Sequence, residues 1–431
     1  MINRNLMVNL GGLVLALSDA MELASNYLAQ HQQRTAFIAL EMGKCFGWSL
    51  RQMEDLFIAA LLHDIGAISL EEKIQIHNAE INNPSEHCLR GERLLSTAEW
   101  LKPSACLIRN HHTDWQTWKA SIEDTIVFKS QILYLADCVE RMIRREYFIL
   151  HQQQDIIKRI AAMAGSAIHP RVVDLFLTVS RTEEFWLDVV SHRLFSILLN
   201  RGPLKMAEIE FDHIATVAEL FRNVIDFRSR FTATHSSGVA ASASILARIF
   251  GLTDTEVQLM EVAGDLHDLG KLAIPNSILE KPGSLTAQEM AVMKSHTYYT
   301  YTVVHSVDGL QRIAEWAACH HEKLDGSGYP FHCTSAELST GARILAVADT
   351  FTALAEDRPY RTGMSRDDIV QILKNLVAQN ALDDKIVRIV LDNYGEILEY
   401  VCRHQSAAKE FYENWLSSSA FPLFDNPELL V

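Results

Sequence analysis

The sequence contains no long run of basic residues and few residues that interrupt regular structure. Its 431 residues include 39 lysines and arginines against 54 aspartates and glutamates, a formal net charge of −15. A protein that neutralises many phosphates of duplex DNA is therefore not expected. Only 10 prolines and 19 glycines are present, and 48% of the residues are hydrophobic. This composition excludes a disordered chain and a collagen-like repeat, and the length allows two or three domains that each bury a core.

Cysteine pairs and long apolar segments are also missing. The seven cysteines form no C-x-x-C pair, so neither a disulfide framework nor a zinc knuckle is predicted, and a reducing compartment is favoured. The apolar run 6–17 contains Asn9, is followed by Asp19 and is too short to span a bilayer. It also lacks the basic flank and the cleavage site of a secretory signal. We expect a cytoplasmic protein with no membrane span.

The spacing of apolar residues predicts an all-α fold. In stretches such as 254–263 and 369–377, apolar residues recur three and four positions apart, which is the period of an amphipathic helix. Period-two alternation bounded by turn residues is nearly absent, so no substantial sheet is predicted.

The chain repeats itself once. His31 and His235 each precede a His-Asp pair by 32 residues, and each is followed after 15 residues by a Phe-Gly pair. His87 and His296 each precede a His-His pair by 24 residues. Matched spacings of this kind indicate an internal duplication.

The duplication defines the expected domains. We predict a first copy over residues 1–200, a second copy over 205–410 and a C-terminal extension over 411–431. The stretch 200–203 has the composition of a linker, and it is short. Two tandem helical domains joined in this way are expected to pack together instead of moving independently.

Each copy carries the same ordered set of histidines and aspartates, a pattern that suits metal binding. A single buried histidine is usually structural, but a recurring set of ionisable groups on apolar helices is costly unless a cation compensates it. In the second copy the candidate ligands are His235, His267, Asp268, His296, His320, His321 and Asp349. The matching residues of the first copy, a possible second metal site, are His31, His63, Asp64, His87, His111, His112 and Asp137.

The number and type of donors predict a pair of divalent cations in the second copy. Seven donors with no cysteine at ligand spacing are too many for one tetrahedral zinc and fit two adjacent ions bridged by Asp268. Iron, manganese, cobalt, nickel and zinc all accept imidazole and carboxylate ligands, so the metal stays open. Such a pair can activate a water for phosphoester hydrolysis. Lys271 lies four residues after His267 and would share its helical face, near a phosphate oxygen, if the helix continues that far.

A glycine-rich loop follows the paired histidines of the second copy. Residues 320–330 read His-His-Glu-Lys-Leu-Asp-Gly-Ser-Gly-Tyr-Pro, and we expect a tight loop that forms a wall beside the substrate, with Tyr329 available to stack. The second copy resembles the HD-GYP domain, a subfamily of the HD metal-dependent phosphohydrolases, and the resemblance covers essentially all of this copy. The other segments that carry the resemblance are His267-Asp-Leu-Gly-Lys271, His296, Asp349 and Arg358-Pro-Tyr-Arg361.

The resemblance implies an all-helical domain with an iron or manganese centre that hydrolyses bacterial cyclic dinucleotides to a linear dinucleotide or to mononucleotides. Cyclic di-GMP and 3'3'-cGAMP stay equal candidates, because some cGAMP enzymes of this kind also carry a degenerate first copy. It implies one metal on His235, His267, Asp268 and Asp349, and another on His296, His320 and His321, with Asp268 bridging. Asp268 and Lys271 would be the catalytic residues. The implied substrate-binding residues are Lys271, Gly328, Tyr329, Pro330 and Arg361.

Both copies depart from the family pattern. Trinuclear members carry a carboxylate upstream of the first histidine, which 230–234 lacks, so two metals are expected. Thr300 stands where the first copy has Gly91, within an aromatic run that either alters base selection or forms a packing face. In the first copy Ala67 replaces the lysine, and Thr113-Asp-Trp115 replaces the start of the loop. We expect an inactive scaffold there, with a second working site as the alternative.

Other functions and partners remain open at this point. A hydrolase of dNTPs or guanosine tetraphosphate would use the same metals but not the Gly-Tyr-Pro loop. A catalytically weak receptor for a cyclic dinucleotide, or for a signalling partner such as a GGDEF-domain cyclase, would suit the first copy better than the second. The first copy could also occupy the surface by which single-copy relatives pair, and a homodimer is a further candidate assembly.

Overall fold

The computed structural model describes residues 7–23, 25, 28–78, 85–228, 234–356 and 363–417. Within these ranges the chain forms 21 α-helices and two strands of two residues, β1 (Val8–Asn9) and β2 (Glu208–Ile209), which pair antiparallel. The all-α prediction is confirmed. None of the helices in this part of the chain has the length and apolar character that crossing a bilayer requires.

The first half of the chain contributes eleven helices. They are α1 (Leu10–Ala20), α2 (His31–Phe46), α3 (Glu54–Leu62), α4 (Leu70–His77), α5 (Ser85–Leu95), α6 (Lys102–Arg109), α7 (Thr125–Met142), α8 (Ile149–Ala162), α9 (Pro170–Val179), α10 (Glu183–Val189) and α11 (Leu194–Arg201). Short 3-10 turns at Leu50–Met53, Glu99–Leu101 and Trp115–Thr117 connect some of them.

The second half contributes ten helices and one 3-10 turn, Leu269–Ala273. They are α12 (Phe211–Asp226), α13 (His235–Phe250), α14 (Asp254–Leu266), α15 (Asn276–Leu279), α16 (Ala287–His305), α17 (Gln311–Ala318), α18 (Thr340–Ala355), α19 (Arg366–Ala378), α20 (Asp384–Asp392) and α21 (Tyr394–Ser417). The helices that carry the repeated motif correspond in order: α2 with α13, α3 with α14, α5 with α16, α6 with α17 and α7 with α18.

The two copies share their local folding signals as well as their motif. Helices α2 and α13 both end at a glycine with positive φ, +93° at Gly47 and +96° at Gly251, a conformation that glycine adopts without steric cost. In each copy the next helical segment starts with a capping box, headed by Ser49 in the first and Thr253 in the second. These signals turn the chain sharply between the two helices that deliver the first three candidate ligands.

Helix α1 lies between the two copies. It contacts α2, α3 and α11 of the first copy, and α16 and the turn Leu269–Ala273 of the second. The residues that follow α11 are held beside it, because β2 pairs with β1 and the Asn9 amide donates to the carbonyl of Lys205 over 2.7 Å. The expectation that the copies pack together is therefore confirmed.

The last described helix continues beyond the boundary predicted at residue 410. Helix α21 runs to Ser417 and packs on α13. The Phe227 ring lies 4.9 Å from the Tyr412 ring and 4.7 Å from the Trp415 ring, between centroids. Residues 411–417 thus belong to the packed second half, and the rest of the predicted extension lies outside the described residues.

Candidate metal centre

The candidate ligands of the second copy come from five helical segments that converge on one buried point. His235 is the first residue of α13, His267 and Asp268 follow α14, and His296 lies in α16. His320 and His321 follow α17, and Asp349 lies in α18. All of them except His321 are buried. The structure thus brings together every metal-ligand candidate predicted for this copy.

Asp268 lies at the centre of this cluster, and its two carboxylate oxygens face different histidines. Oδ2 lies 3.2 Å from Nε2 of His267. Oδ1 lies 3.5 Å from Nε2 of His296 and 3.9 Å from Nε2 of His320. A carboxylate placed in this way can bridge two cations.

The remaining ligands extend the two groups on either side of Asp268. Asp349 lies between them, with Oδ1 3.2 Å from Nε2 of His235 and Oδ2 3.8 Å from Nδ1 of His321. Two sets of three residues each offer ligand atoms within 4.8 Å of one another: His235, His267 and Asp268, and His296, His320 and His321. The geometry therefore separates into the same two groups that the resemblance implies.

Backbone carbonyls fix the orientation of three of the imidazoles. Nδ1 of His267, His296 and His320 each donates to the carbonyl three residues earlier, over 2.7, 2.6 and 2.6 Å. Because a carbonyl only accepts, Nδ1 must carry the proton in each ring, and in the neutral ring the lone pair of Nε2 points at the cluster. This hydrogen-bond pattern is typical of metal-ligating histidines.

The ionisation states of two ligands, Asp268 and His296, suit metal binding. Burial would raise the pKa of Asp268, but His267 and Lys271 hold it well below its usual range. Burial lowers the pKa of His296 to about 3. At neutral pH this carboxylate is charged and this imidazole is neutral, which are the states that metal ligands need.

Two buried polar atoms without a hydrogen-bond partner in the described part of the chain indicate whether a cation fits the cluster. Nε2 of His267 and Oδ1 of Asp268 are buried without a hydrogen-bond partner among the described residues. Buried polar atoms are normally paired, and leaving a donor or acceptor unpaired is costly. Nε2 of His267 belongs to one group of ligand atoms, and Oδ1 of Asp268 lies 3.5 Å from His296 of the other, so the donor set fits divalent metal.

Lys271 reaches the cluster by a different route from the one predicted. Helix α14 ends at Leu266, so the continuous helix on which a shared face depended is not formed, and Lys271 lies in the turn Leu269–Ala273. Its Nζ lies 2.5 Å from Oδ2 of Asp268. The turn approaches α16 so closely that a Cβ on Gly270 would lie 1.9 Å from the carbonyl oxygen of His296. This close approach requires glycine.

A side chain from α16 and one from the residues after α12 hold this turn. The Thr300 hydroxyl donates to the carbonyl of His267 over 3.0 Å and accepts from the Gly270 amide over 2.9 Å. Arg228, which follows α12 and is buried, donates to the carbonyl of Lys271 over 2.6 Å and to that of Ile274 over 2.8 Å. The position of Lys271 is therefore set by its turn.

The Gly-Tyr-Pro loop packs beside the cluster as expected. The buried Glu322 carboxylate accepts from the amides of Phe331 and His332 over 2.6 and 3.0 Å, and closes the loop on itself. The Tyr329 ring lies 4.9 Å from the His321 ring, between centroids, and forms a wall beside the more exposed ligand. Gly328 is buried, and a Cβ there would lie 2.4 Å from Cα of Glu322.

Two further substrate-binding candidates were predicted, Pro330 and Arg361. Pro330 is partly exposed in the same loop, next to Tyr329. Arg361 lies outside the described residues.

The first copy gathers its candidates in a similar way. Oδ2 of Asp64 lies 3.4 Å from Nε2 of His31 and 3.5 Å from Nε2 of His63, and Oδ1 lies 3.6 Å from Nε2 of His87. Nε2 of His111 lies 4.0 Å from Oδ1 of Asp64. Asp137 lies 3.6 Å from Nε2 of His31 and 4.0 Å from Nδ1 of His112. The structure brings all seven first-copy candidates together as well.

The first cluster differs from the second in charge and access. Ala67 is buried where the second copy has Lys271, and Nη2 of Arg141 lies 3.0 Å from Oδ2 of Asp137. The His112 side chain is 8% exposed, whereas that of His321 is 33% exposed. The first cluster therefore contains a permanent cation of its own and is more closed to solvent.

Sequence reasoning missed three residues that contact the two histidine–aspartate clusters. Glu356 faces Nδ1 of His235, with both carboxylate oxygens at 3.1 Å, and Glu140 makes the matching contact with His31. Glu140 follows the aspartate of its copy by three residues and Glu356 by seven, so no matched spacing reveals them. Cys88 lies beside His87 within the first cluster, although no cysteine was expected at ligand spacing.

Helical packing and a buried histidine–aspartate cluster define this chain as a protein of the metal-dependent hydrolase type. A family model described as HD domain matches residues 16–172 and again residues 219–386. The chain belongs to the HD domain family, and the resemblance noted from the motifs is confirmed.

Individual relatives carry more specific names. The chain is 30% identical over 396 residues to the 3'3'-cGAMP-specific phosphodiesterase 1 of Vibrio cholerae. The alignment covers 90% of this chain and 92% of that protein. It is 37% identical over 207 residues to the cyclic di-GMP phosphodiesterase response regulator RpfG of Xanthomonas campestris, covering 47% of this chain and 53% of that protein. A crystal structure of a cyclic GMP-AMP specific phosphodiesterase from V. cholerae (V-cGAP3) shares the fold with a TM-score of 0.61 at 21% identity, over 93% of this chain and 98% of that one.

Proposed function

We propose that the second copy is a metal-dependent phosphodiesterase that hydrolyses bacterial cyclic dinucleotides. The observation that carries this proposal is the position of Asp268, whose two carboxylate oxygens face separate histidines while Nζ of Lys271 lies 2.5 Å from Oδ2. Paired cations beside a fixed ammonium group suit an anionic phosphodiester. Relatives named as 3'3'-cGAMP-specific and cyclic di-GMP phosphodiesterases support this substrate class.

Two divalent cations would be held by the residues predicted from the sequence. One would be bound by His235, His267, Asp268 and Asp349, and the other by His296, His320 and His321, with Asp268 shared. Bound there, the cations supply Lewis acidity that polarises a phosphate and acidifies a water molecule. Iron or manganese is the metal we propose, because the resemblance to the HD-GYP domain implies one of them and both accept imidazole and carboxylate ligands.

Side chains of the second copy would then bind and orient the substrate. Burial would lower the pKa of Lys271, but Asp268 raises it above its usual value, so the ammonium is charged and can bind an oxygen of the scissile phosphate. Tyr329 offers its ring as a stacking surface for a base, and Gly328 and Pro330 give the loop its shape. Arg361 is proposed to bind the other phosphate.

The preferred substrate we propose is 3'3'-cGAMP, and the product a linear dinucleotide. The 3'3'-cGAMP-specific relative matches 90% of this chain and so includes both copies, whereas the cyclic di-GMP relative matches 47%. Cyclic di-GMP is the alternative substrate.

The experiment is a product assay on the purified full-length protein with Mn²⁺ or Fe²⁺, in which both dinucleotides are supplied separately. We expect faster cleavage of 3'3'-cGAMP, with the linear dinucleotide as the first product. Asp268→Ala should abolish cleavage and deplete bound metal, because it removes the shared ligand. Binding of either dinucleotide without cleavage in the metal-loaded protein would contradict the proposal and favour a receptor.

The first copy, residues 1–200, is proposed to be an inactive scaffold for the catalytic copy, residues 205–410. Ala67 offers no charge for a phosphate, and Arg141 already neutralises Asp137. Asp64→Ala, the variant that matches Asp268→Ala, should therefore keep most of the activity. A comparable loss in both variants, with Asp64→Ala still folded by circular dichroism, would show two working centres or a coupled pair.

A further inference from the structure

The first copy places a sulfur atom among its buried histidines. Sγ of Cys88 lies 3.7 Å from Nε2 of His87 and 3.5 Å from Nδ1 of His111. The Nε2 atoms of the two histidines lie 3.2 Å apart. All three residues are buried, and their ligand atoms lie within 4.8 Å of one another.

A fourth donor completes the set. Oδ1 of Asp64 lies 3.6 Å from Nε2 of His87 and 4.0 Å from Nε2 of His111. This oxygen is buried without a hydrogen-bond partner among the described residues. Metal–ligand bonds of about 2.0–2.3 Å in a tetrahedron separate the ligand atoms by about 3.3–3.8 Å, close to the 3.7 Å from Sγ of Cys88 and the 3.6 Å from Oδ1 of Asp64 to Nε2 of His87.

The second copy offers no equivalent sulfur. The residue after His296 is Thr297, whose hydroxyl donates to the carbonyl of Lys294 over 3.0 Å. In the first copy, Nδ1 of His111 donates to the carbonyl of Ile108 over 2.6 Å, which leaves Nε2 of this ring for a ligand. The two copies therefore differ in donor chemistry as well as in access.

The surroundings of the first cluster favour a closed site. Arg141 already neutralises Asp137 on the far side of the cluster, over 3.0 Å. His112 and Asp137 are 8% and 2% exposed, so little room is left for a substrate. Structural zinc sites have four protein ligands and no open position.

We infer that the first copy binds a single structural zinc ion through His87, Cys88, His111 and Oδ1 of Asp64. Thiolate is a soft ligand, which favours zinc over manganese or iron at this site. Binding of this ion needs no catalysis by the second copy, so its test is independent of the proposed hydrolase activity.

The test uses cobalt as a spectroscopic substitute for zinc in the full-length protein. Metal-free protein loaded with Co²⁺ should show a thiolate-to-cobalt charge-transfer absorption in the near ultraviolet. The band should disappear in Cys88→Ser. It should persist in Cys138→Ser, the matched control, because Cys138 is also buried in the first copy and its Sγ lies 3.6 Å from the Arg141 guanidinium. No band in the wild-type protein, or an unchanged band in Cys88→Ser, would overturn the inference.

A second measurement tests the same inference without Cys88→Ser, in case that variant does not fold. Asp268→Ala, which depletes the second copy of metal, should still contain about one zinc per chain as purified. Zinc X-ray absorption of this variant should show one sulfur at about 2.3 Å. A zinc environment of nitrogen and oxygen alone, or no zinc, would refute the thiolate ligand.

Discussion

Lys271 shows how one residue distinguishes the two clusters. Its Nζ lies 2.5 Å from Oδ2 of Asp268, whereas the first copy has Ala67 at the matching position. Both clusters gather imidazoles around a central aspartate, so metal binding alone would not separate their functions. The ammonium group adds the charge that a phosphate would need.

Replacing this lysine should impair chemistry more than metal binding. We expect Lys271→Ala to lower kcat by about 100-fold, the usual loss when a charge-stabilising donor is removed from an active site, with bound metal retained. Steady-state kinetics and elemental analysis of the same sample measure both. Lys281→Ala is the control, since Lys281 pairs with Glu289 in the same copy. Equal activity of the two variants would refute the role of Lys271.

Glu356 makes metal binding by the second copy depend on pH. Burial would lower the pKa of His235, but Glu356 and Asp349 raise it to about 10 in the metal-free protein. At neutral pH the ring is therefore protonated and must lose a proton before Nε2 can bind a metal. Metal affinity should rise with pH, by about tenfold per unit for this one proton, until the pKa is reached.

Glu356→Gln tests this linkage. Removal of the carboxylate charge should lower the pKa of His235, so metal binding at neutral pH should release fewer protons and depend less on pH. Calorimetry in two buffers of different ionisation enthalpy counts the protons. Both proteins should carry Asp64→Ala, which limits the contribution of the first copy. An unchanged proton count would show that Glu356 does not set this pKa.

At the scale of elements, the turn Leu269–Ala273 explains why sequence reasoning located the ligands but not their supports. Matched spacing found His267 and Asp268, because the duplication repeats them. It left open whether α14 continues to Lys271, since the close approach of Gly270 to α16 is a tertiary contact. Arg228 follows α12, far from the turn in sequence, and no spacing repeated between the two copies links it to the turn. It could therefore not be found from the sequence.

Arg228 should control the activity through the turn. Loss of its guanidinium removes one hydrogen bond from the carbonyl of Lys271 and one from that of Ile274, and small misplacements of a catalytic group can cost about 100-fold. We expect Arg228→Ala to lower kcat by at least about tenfold with bound metal retained. Hydrogen exchange of the amides at 269–276 should accelerate, whereas exchange in the matching first-copy stretch 65–72 should not. Unchanged exchange at 269–276 would contradict this role.

At the scale of the whole molecule, the features of the fold that could be predicted are those that both copies share. Helical spacing and the matched His-Asp pairs predicted two packed helical copies, and both features are present. The contact itself was not predictable, because α1 reads as an apolar helix of the first copy and nothing in its sequence indicates that it also packs on α16. Likewise, Arg141 beside Asp137 closes the first cluster through a residue that the motif comparison had no reason to mark.

The division of labour between the copies rests on one arrangement in the second: two metal ions on either side of a single carboxylate. Anomalous X-ray diffraction from crystals of the full-length protein grown with Mn²⁺ measures this directly. We predict two manganese peaks in the second copy, about 3.5–4 Å apart, with Asp268 between them. A single peak, or peaks that do not contact Asp268, would contradict the account.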